Sequence, residues 1–192
     1  MPIRSAFVSI STVACAALSA GCTAGWPYAR AGEVVLLRDG FDGENRERPV
    51  LMYDRFTHWR VEEGTVDLVG ARSDWDFQPG NGLYVDLDGD RPDGIRFKPG
   101  VLVSRQAFPL APGVYQLSFR LAGSHRRDVN TVEVRLGDVH RERITLPADA
   151  PFQRYDRVIR VRRASQARLS FDNEGADGYG LLLDDVLLRR VR

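Results

Sequence analysis

The sequence predicts an all-β domain, an antiparallel two-sheet β-sandwich spanning residues 33–192. Three observations carry that prediction. Beyond Glu33 apolar residues recur at period two in short runs, clusters of Gly, Asp, Asn and Pro separate the runs, and no stretch holds a helical period over several turns. About ten strands with turns at this spacing fit two packed sheets better than any other class.

Residues 1–21 have a different character. Met1 to Arg4 is a short basic start, Ser5 to Leu18 is an apolar and small-residue run too short for an ordinary membrane helix, and Ser19-Ala-Gly-Cys22 follows. This stretch is similar to a bacterial lipoprotein signal, which implies that Cys22 is lipidated and becomes the mature amino terminus. Leu18 lies one position earlier than the leucine of such signals, so conventional cleavage nearby, with Cys22 left as a thiol, stays open. Either route exports the chain. Cys15 falls inside the signal, so the mature protein has no second cysteine for an internal disulfide. Residues 22–32 read as a tether, with Trp26 and Tyr28 placed for a lipid interface. The expected address is the bacterial cell envelope, with a lipid anchor at the outer membrane or the periplasmic face.

Val34 to Arg38 is the first expected strand and runs into the acidic turn Asp39-Gly-Phe-Asp-Gly43. Thr57 to Val61 and Thr65 to Val69 flank Glu63-Gly64, a hairpin signal. Ala71 to Asn81 is a long connection carrying Trp75 and Phe77. Long loops with large aromatics are where binding concentrates, but a lone loop tryptophan also serves as a lid folded onto the core. Gly82 to Leu87 resumes strand and enters Asp88-Gly-Asp-Arg-Pro-Asp-Gly94, a turn cluster. Its Asp86, Asp88, Asp90 spacing is not an EF-hand, because Arg91 and Phe97 stand where glycine and glutamate are needed.

Val101 to Phe108 is the next strand and Pro109 to Gly113 a turn. Val114 to Ala122 alternates most clearly, with Tyr115, Leu117, Phe119 and Leu121 toward a core and Gln116, Ser118 and Arg120 toward solvent. Thr131 to Leu136 repeats the pattern with Val132, Val134 and Leu136 inward, and Val139 to Leu146, Phe152 to Val161 and Ala167 to Phe171 follow. Ser124 to Asp128 reads as a solvated hairpin tip. Arg154 to Arg163 reads as a solvated strand face or a contact strip.

The closing run, Leu181 to Leu188, sets Asp184 and Asp185 in the middle of a hydrophobic strand. Strict alternation groups Asp184 with Leu182, Val186 and Leu188, and makes Asp184 the inward carboxylate. A buried carboxylate needs hydrogen bonds, an arginine or a cation.

Composition narrows function by exclusion. With 27 basic and 26 acidic residues there is no overall field for nucleic acid, so no nucleic-acid partner is expected. His58, His125 and His140 have no metal-ligand spacing, and no nucleophile motif, phosphate loop or acid–base carboxylate pair is identifiable. The chain is not expected to be an enzyme.

Four blocks in order carry a family resemblance: Trp59-Arg-Val-Glu-Glu-Gly-Thr-Val-Asp67, Tyr84-Val-Asp-Leu-Asp-Gly89, Pro112-Gly-Val-Tyr-Gln-Leu-Ser-Phe-Arg-Leu-Ala-Gly123 and Leu183-Asp-Asp-Val186. Together they resemble the cell-wall family called domain of unknown function 642 and the choice-of-anchor-like envelope proteins related to it. The resemblance covers Asp39 to Leu188. It departs at Ser124, where asparagine is usual, and in keeping Gly40-Phe-Asp42 only loosely. It implies a jelly-roll sandwich of the galactose-binding-like, carbohydrate-binding-module type. It also implies a structural Ca2+ between an acidic residue near the amino terminus and an aspartate of the last strand, the matching positions being Asp42 and Asp184. Backbone carbonyls and Asp39 or Glu44 would complete the shell. An arginine partner for Asp184 is the competing expectation.

Two functions follow. The first is a non-catalytic module binding polysaccharide or glycan at the envelope, with Trp75, Phe77, Tyr84 and Arg105 as candidate ligand-binding residues. Aromatic faces there would meet pyranose rings and planar polar groups their hydroxyls. The second is a structural or protein-interaction domain without a sugar ligand.

Overall fold

The computed structural model describes residues 33–90, 98–126, 129–175 and 177–192. The described residues form thirteen strands, eleven of which build an antiparallel two-sheet sandwich. In chain order they are β1 (Val34–Asp39), β2 (Trp59–Glu63), β3 (Asp67–Gly70), β4 (Leu83–Asp86), β5 (Val101–Ser104), β6 (Phe108–Leu110), β7 (Gly113–Ala122), β8 (Asn130–Leu136), β9 (His140–Leu146), β10 (Gln153–Val161), β11 (Ser165–Ala167), β12 (Leu169–Glu174) and β13 (Leu182–Arg190). A 3-10 turn at Glu44–Arg46 is the only helical element among the described residues. The signal, the tether and Cys22 lie outside the described residues.

The first sheet has the order β10-β7-β13-β4-β3, with β1 also on β13, and the second the order β2-β5-β12-β8-β9. Strands β6 and β11 form a small separate pair. Both core clusters and every described strand pairing lie within residues 33–192.

The core forms where the inward positions of both sheets meet. Tyr115, Leu117, Phe119 and Leu121 of β7 enter it as their alternation requires, as do Val132, Val134 and Leu136 of β8. Trp59 is fully buried at its centre, with ring centroids 5.8 Å from Phe171 and 6.3 Å from Phe41. Its indole Nε1 donates to Asp39 Oδ2 at 2.8 Å, which ties the last residue of β1 to the second sheet.

Three expectations are corrected. Glu63-Gly64 is no hairpin: β2 pairs with β5 and β3 with β4, in different sheets, so Gly64, at φ 61°, turns the chain from one layer to the other. Val101 to Phe108 divides into β5 and β6, and Pro109 sits inside β6 facing out. Pro109 is tolerated because β6 belongs only to the two-stranded pair.

The third correction concerns the closing strand. β7 advances two residues, Arg120 to Ser118, while β13 advances three, Asp184 to Leu187, leaving a β-bulge with Asp185 at φ 51°. The extra residue inverts the phase. Leu181, Leu183, Val186 and Leu188 therefore line the main core, whereas Leu182 and Asp184 face the outer side of the sheet. Asp184 is buried there all the same, at 2% exposure, beneath the chain that covers that face.

Candidate functional site

The outer face of the first sheet is partly roofed. Strands β3 and β4 send Leu68, Leu83 and Val85 into the main core, and their alternate residues outward: Asp67, Val69, Tyr84 and Asp86. Val69, Tyr84, Ala122 and Leu182 form a second apolar cluster, on which Leu51, Phe77 and Phe152 pack. Residues 71–82 lie over it.

Tyr84 anchors that roof. It is fully buried, its ring meets Phe152 edge-on at 5.4 Å, its hydroxyl accepts the Gln78 N–H (2.9 Å) and donates to Asp76 Oδ1 (3.1 Å). Burial pushes the Tyr84 phenol well up from its ordinary value. The loop closes on itself where the Ala71 N–H meets Gly82 O at 2.8 Å, and Gln78 Nε2 reaches His125 Nε2 at 2.7 Å.

Between this loop and the 172–180 segment lies a cleft of about 330 Å³. Trp75, Phe77 and Tyr179 give it aromatic walls, and Asp67, Asp86, Asp90 and Arg126 give it polar groups. Trp75 is 41% exposed and does not fold onto the core. The Arg126 guanidinium lies 4.4 Å above the Phe77 ring and 4.8 Å from that of Tyr179, and forms an ion pair with Asp86. Rings on two sides and a carboxylate at its end hold that planar group in one orientation.

Asp86 is 1% exposed, and burial, opposed by Arg126 and by the Asp88 N–H, pushes its carboxyl up to about 7. Its Oδ1 accepts the Asp88 and Gly180 N–H groups at 3.1 Å each. Asp67 is its cross-strand partner, raised by burial and satisfied by the Met52 (2.7 Å) and Asp90 (2.9 Å) N–H groups. Like charges directly opposite repel, so this pairing calls for a cation, which Arg126 provides.

The candidate residues named from sequence are distributed unevenly. Trp75 and Phe77 line the cleft; Tyr84 lies beneath it, holding the loop. Arg105 lies elsewhere, in a separate cleft beside His58 and Arg38, its guanidinium donating to Phe56 O at 3.0 Å. Sequence reasoning missed Arg126, Asp86, Asp67 and Tyr179. The sequence pattern puts Arg126 on a solvated tip, yet Ser124 is fully buried and Arg126 turns into the cleft. The available signal was the outward phase of Asp67 and Asp86 on neighbouring strands.

Asp42 and Asp184 are close enough for Asp42 to raise the Asp184 carboxyl, and with burial and Asp185 acting first that carboxyl is pushed up to about 8. Three of their four oxygens are already engaged. Asp42 Oδ1 accepts the Leu83 N–H (2.8 Å), Asp184 Oδ1 accepts the Asp185 N–H (2.7 Å), and Asp184 Oδ2 faces Arg120 Nη1 at 3.5 Å. Arg120 also reaches Asp185 (3.1 Å) and Asn81 Oδ1 (2.6 Å). Among the described residues no group of three or more His, Cys, Asp or Glu is arranged for a metal ion. With Arg120 in place the donors fit a guanidinium counter-ion better than a calcium shell.

No protein-family model matches the chain and no curated protein matches its sequence. Among solved structures it is similar to the K1 cleaved adhesin domain of Lys-gingipain from Porphyromonas gingivalis W83, at TM-score 0.50 and 14% identity, over 74% of this chain and 93% of that one. It is also similar to the K3 cleaved adhesin domain of the same protein, at TM-score 0.45 and 16% identity, over 82% and 99%. A third is TmCBM61, solved with β-1,4-galactotriose, at TM-score 0.44 and 21% identity, over 70% and 90%. The first likeness is one of fold; the other two are more distant.

Proposed function

We propose that this domain is a non-catalytic module that binds a glycan or polysaccharide chain in the cleft beneath Trp75. The observation that carries the reading is the union, in one cleft, of three aromatic side chains with a guanidinium held planar between two of them. Aromatic faces bury the C–H side of a pyranose, while Arg126 and the cleft carboxylates present donors and acceptors to its hydroxyls. The carboxylates support binding rather than bond cleavage. Asp86 is engaged by Asp88, Gly180 and Arg126, and Asp67 by Met52 and Asp90, so each is fixed as an orienting acceptor rather than free as a general acid or base. Export to the cell envelope and a lipid anchor at Cys22 belong to the same proposal and rest on the amino-terminal sequence alone.

The test is a glycan array followed by calorimetry on residues 33–192, with Trp75→Ala and Arg105→Ala beside the parent. Expected is binding to a polysaccharide that Trp75→Ala weakens at least tenfold and Arg105→Ala leaves unchanged. Absence of binding to any glycan, combined with capture of a specific protein partner, would sink the proposal in favour of an interaction domain. Glycan binding indifferent to Trp75→Ala would move the site elsewhere.

A further inference from the structure

The cleft beneath Trp75 is charged as well as aromatic. Four carboxylates line it, those of Asp67, Asp86, Asp90 and Asp177, against one cation among the described residues, Arg126. Two more, Asp74 and Asp76, stand on either side of Trp75 in the loop that forms one wall. The charge of Arg126 is already balanced by Asp86, and the rings of Phe77 and Tyr179 lie against its guanidinium. Asp74, Asp76 and Asp177 have no ion pair among the described residues. Asp177 Oδ1 accepts the Tyr179 N–H at 3.0 Å, and Asp76 Oδ1 accepts the Tyr84 hydroxyl at 3.1 Å.

The described arginines closest to this wall are committed elsewhere. Arg120 is held by Asp184, Asp185 and Asn81, and Arg72 lines a separate cleft with Asp42 and Glu47. The acidic excess is local: the whole chain carries a net charge of +1, and the cleft around Arg105 is lined by Arg38 and His58 and by no carboxylate.

We infer that the cleft takes a glycan bearing free amino groups, a hexosamine polymer at least partly without acetyl groups, and rejects glycans bearing carboxylate or sulfate. The inference rests on the glycan reading of the same cleft and names the ligand's charge. Ring faces and carboxylates around one space are the chemistry that holds an ammonium, because the rings attract a cation and the carboxylates accept its N–H donors. An acetamide or a hydroxyl on the same sugar carries no charge to meet that field, and an anionic group is repelled by it. With Arg126 already paired, the described lining has no second cation to receive an anion.

The experiment is calorimetry on the full chain with four hexamers, of glucosamine, N-acetylglucosamine, glucose with the β-1,4 linkage, and galacturonate, in mildly acidic buffer where the amines are protonated. One carboxylate about 4 Å from an ammonium in water is worth about fivefold, so several together should favour the glucosamine hexamer over the acetylated and glucose hexamers by about tenfold or more. Raising the salt should shrink that preference, and galacturonate should not enter the cleft. Trp75→Ala should abolish binding of the glucosamine hexamer. Asp177→Asn keeps the acceptor for the Tyr179 N–H and removes the charge, so it should cut the preference about fivefold. Asp138→Asn removes the same charge from the turn between β8 and β9 of the second sheet and should leave the preference intact. Equal affinity for the acetylated or glucose hexamer, or galacturonate binding that Trp75→Ala abolishes, overturns the inference and leaves the cleft a glycan site. Glucosamine binding indifferent to Trp75→Ala, equal effects of Asp177→Asn and Asp138→Asn, or no glucosamine binding also overturns it. Whether the cleft takes any glycan at all is decided separately, by the array.

Discussion

Asp184 and Arg120 are register partners on β13 and β7, and their side chains meet at 3.5 Å where the carboxylate is only 2% exposed. Burial and the neighbouring charge of Asp185 outweigh the arginine, and the carboxyl is raised from its ordinary 3.8 to about 8. A carboxyl raised in this way holds its proton more tightly in the native state than in the unfolded chain. Native stability from this group is therefore full below about pH 4 and is lost as pH climbs through the folded value near 8. Asp86, raised to about 7, acts in the same direction. The domain should melt higher at pH 5 than at pH 8. Asp184→Asn, which keeps the shape and removes the charge, should raise the pH 8 melting temperature by about 3 °C or more and change little near pH 4.

Removal of Arg120 asks the complementary question. Arg120→Met leaves Asp184 and Asp185 without their cation; because Asp184 then takes up a proton, the cost should be only about 1 kcal/mol at pH 8 and less near pH 4. Calcium at Asp42 and Asp184 would have to displace that guanidinium. We therefore expect a chelator to leave the melting temperature unmoved. A fall on chelation, restored by calcium, would reinstate the metal, because a ligand bound only by the native state must stabilise it.

Arg126 has two roles that separate by substitution. Arg126→Ala leaves the buried Asp86 carboxyl to take up a proton and should destabilise the domain by about 1.5 kcal/mol at pH 8. Arg126→Lys keeps a cation but loses the plane stacked on Phe77 and Tyr179. Its melting temperature should stay within a few degrees of the parent, while affinity for a cleft ligand falls tenfold or more. An Arg126→Lys variant with the parent's stability and affinity would show that only the charge matters.

Alternation made much of this fold legible. The inward set of β7 and β8 could be read directly, because those strands carry one wet and one dry face without interruption. Reading failed where the chain changes layer or register. Gly64 looks like a hairpin turn locally, but which strand each neighbour pairs with is decided by residues tens of positions away. Asp185 carries no local sign that it will adopt the left-handed conformation and shift Val186 into the core. The aromatic half of the cleft was visible as a tryptophan and a phenylalanine in a long loop. Its polar half was not, since Asp67, Asp86 and Arg126 come together only once β3, β4 and the 123–126 segment are placed side by side.

One hydroxyl makes two of the hydrogen bonds that hold the roof over the second cluster. Tyr84→Phe keeps the ring against Phe152 but removes the acceptor for the Gln78 N–H and the donor to Asp76. The Gln78 amide is then left without that partner, at a local cost of about 1–2 kcal/mol. Hydrogen exchange at Gln78 should accelerate roughly tenfold while amides in β7 and β8 keep their protection, since local opening is governed separately from global unfolding. Unchanged exchange at Gln78 would show that packing and the Ala71–Gly82 and Gln78–His125 contacts hold the loop without the hydroxyl.

Gly64 offers the sharpest test of the layer crossing. At φ 61° the residue sits in the left-handed region, and a Cβ there would lie 2.1 Å from Pro99 O and 2.3 Å from Lys98 O. Those atoms belong to the backbone leading into β5, so relief requires moving a strand start rather than turning a side chain. Left-handed geometry costs a non-glycine residue about 1–2 kcal/mol, and forced overlap adds about 1–3 kcal/mol. Gly64→Ala should therefore lower stability by about 3 kcal/mol, seen as a melting temperature reduced by roughly 6–12 °C. Gly43, with nothing within 4 Å of its virtual Cβ, is the control, and Gly43→Ala should shift the melting point by no more than about 2 °C. If the two variants melt alike, β2 and β3 are not divided between the sheets at Gly64.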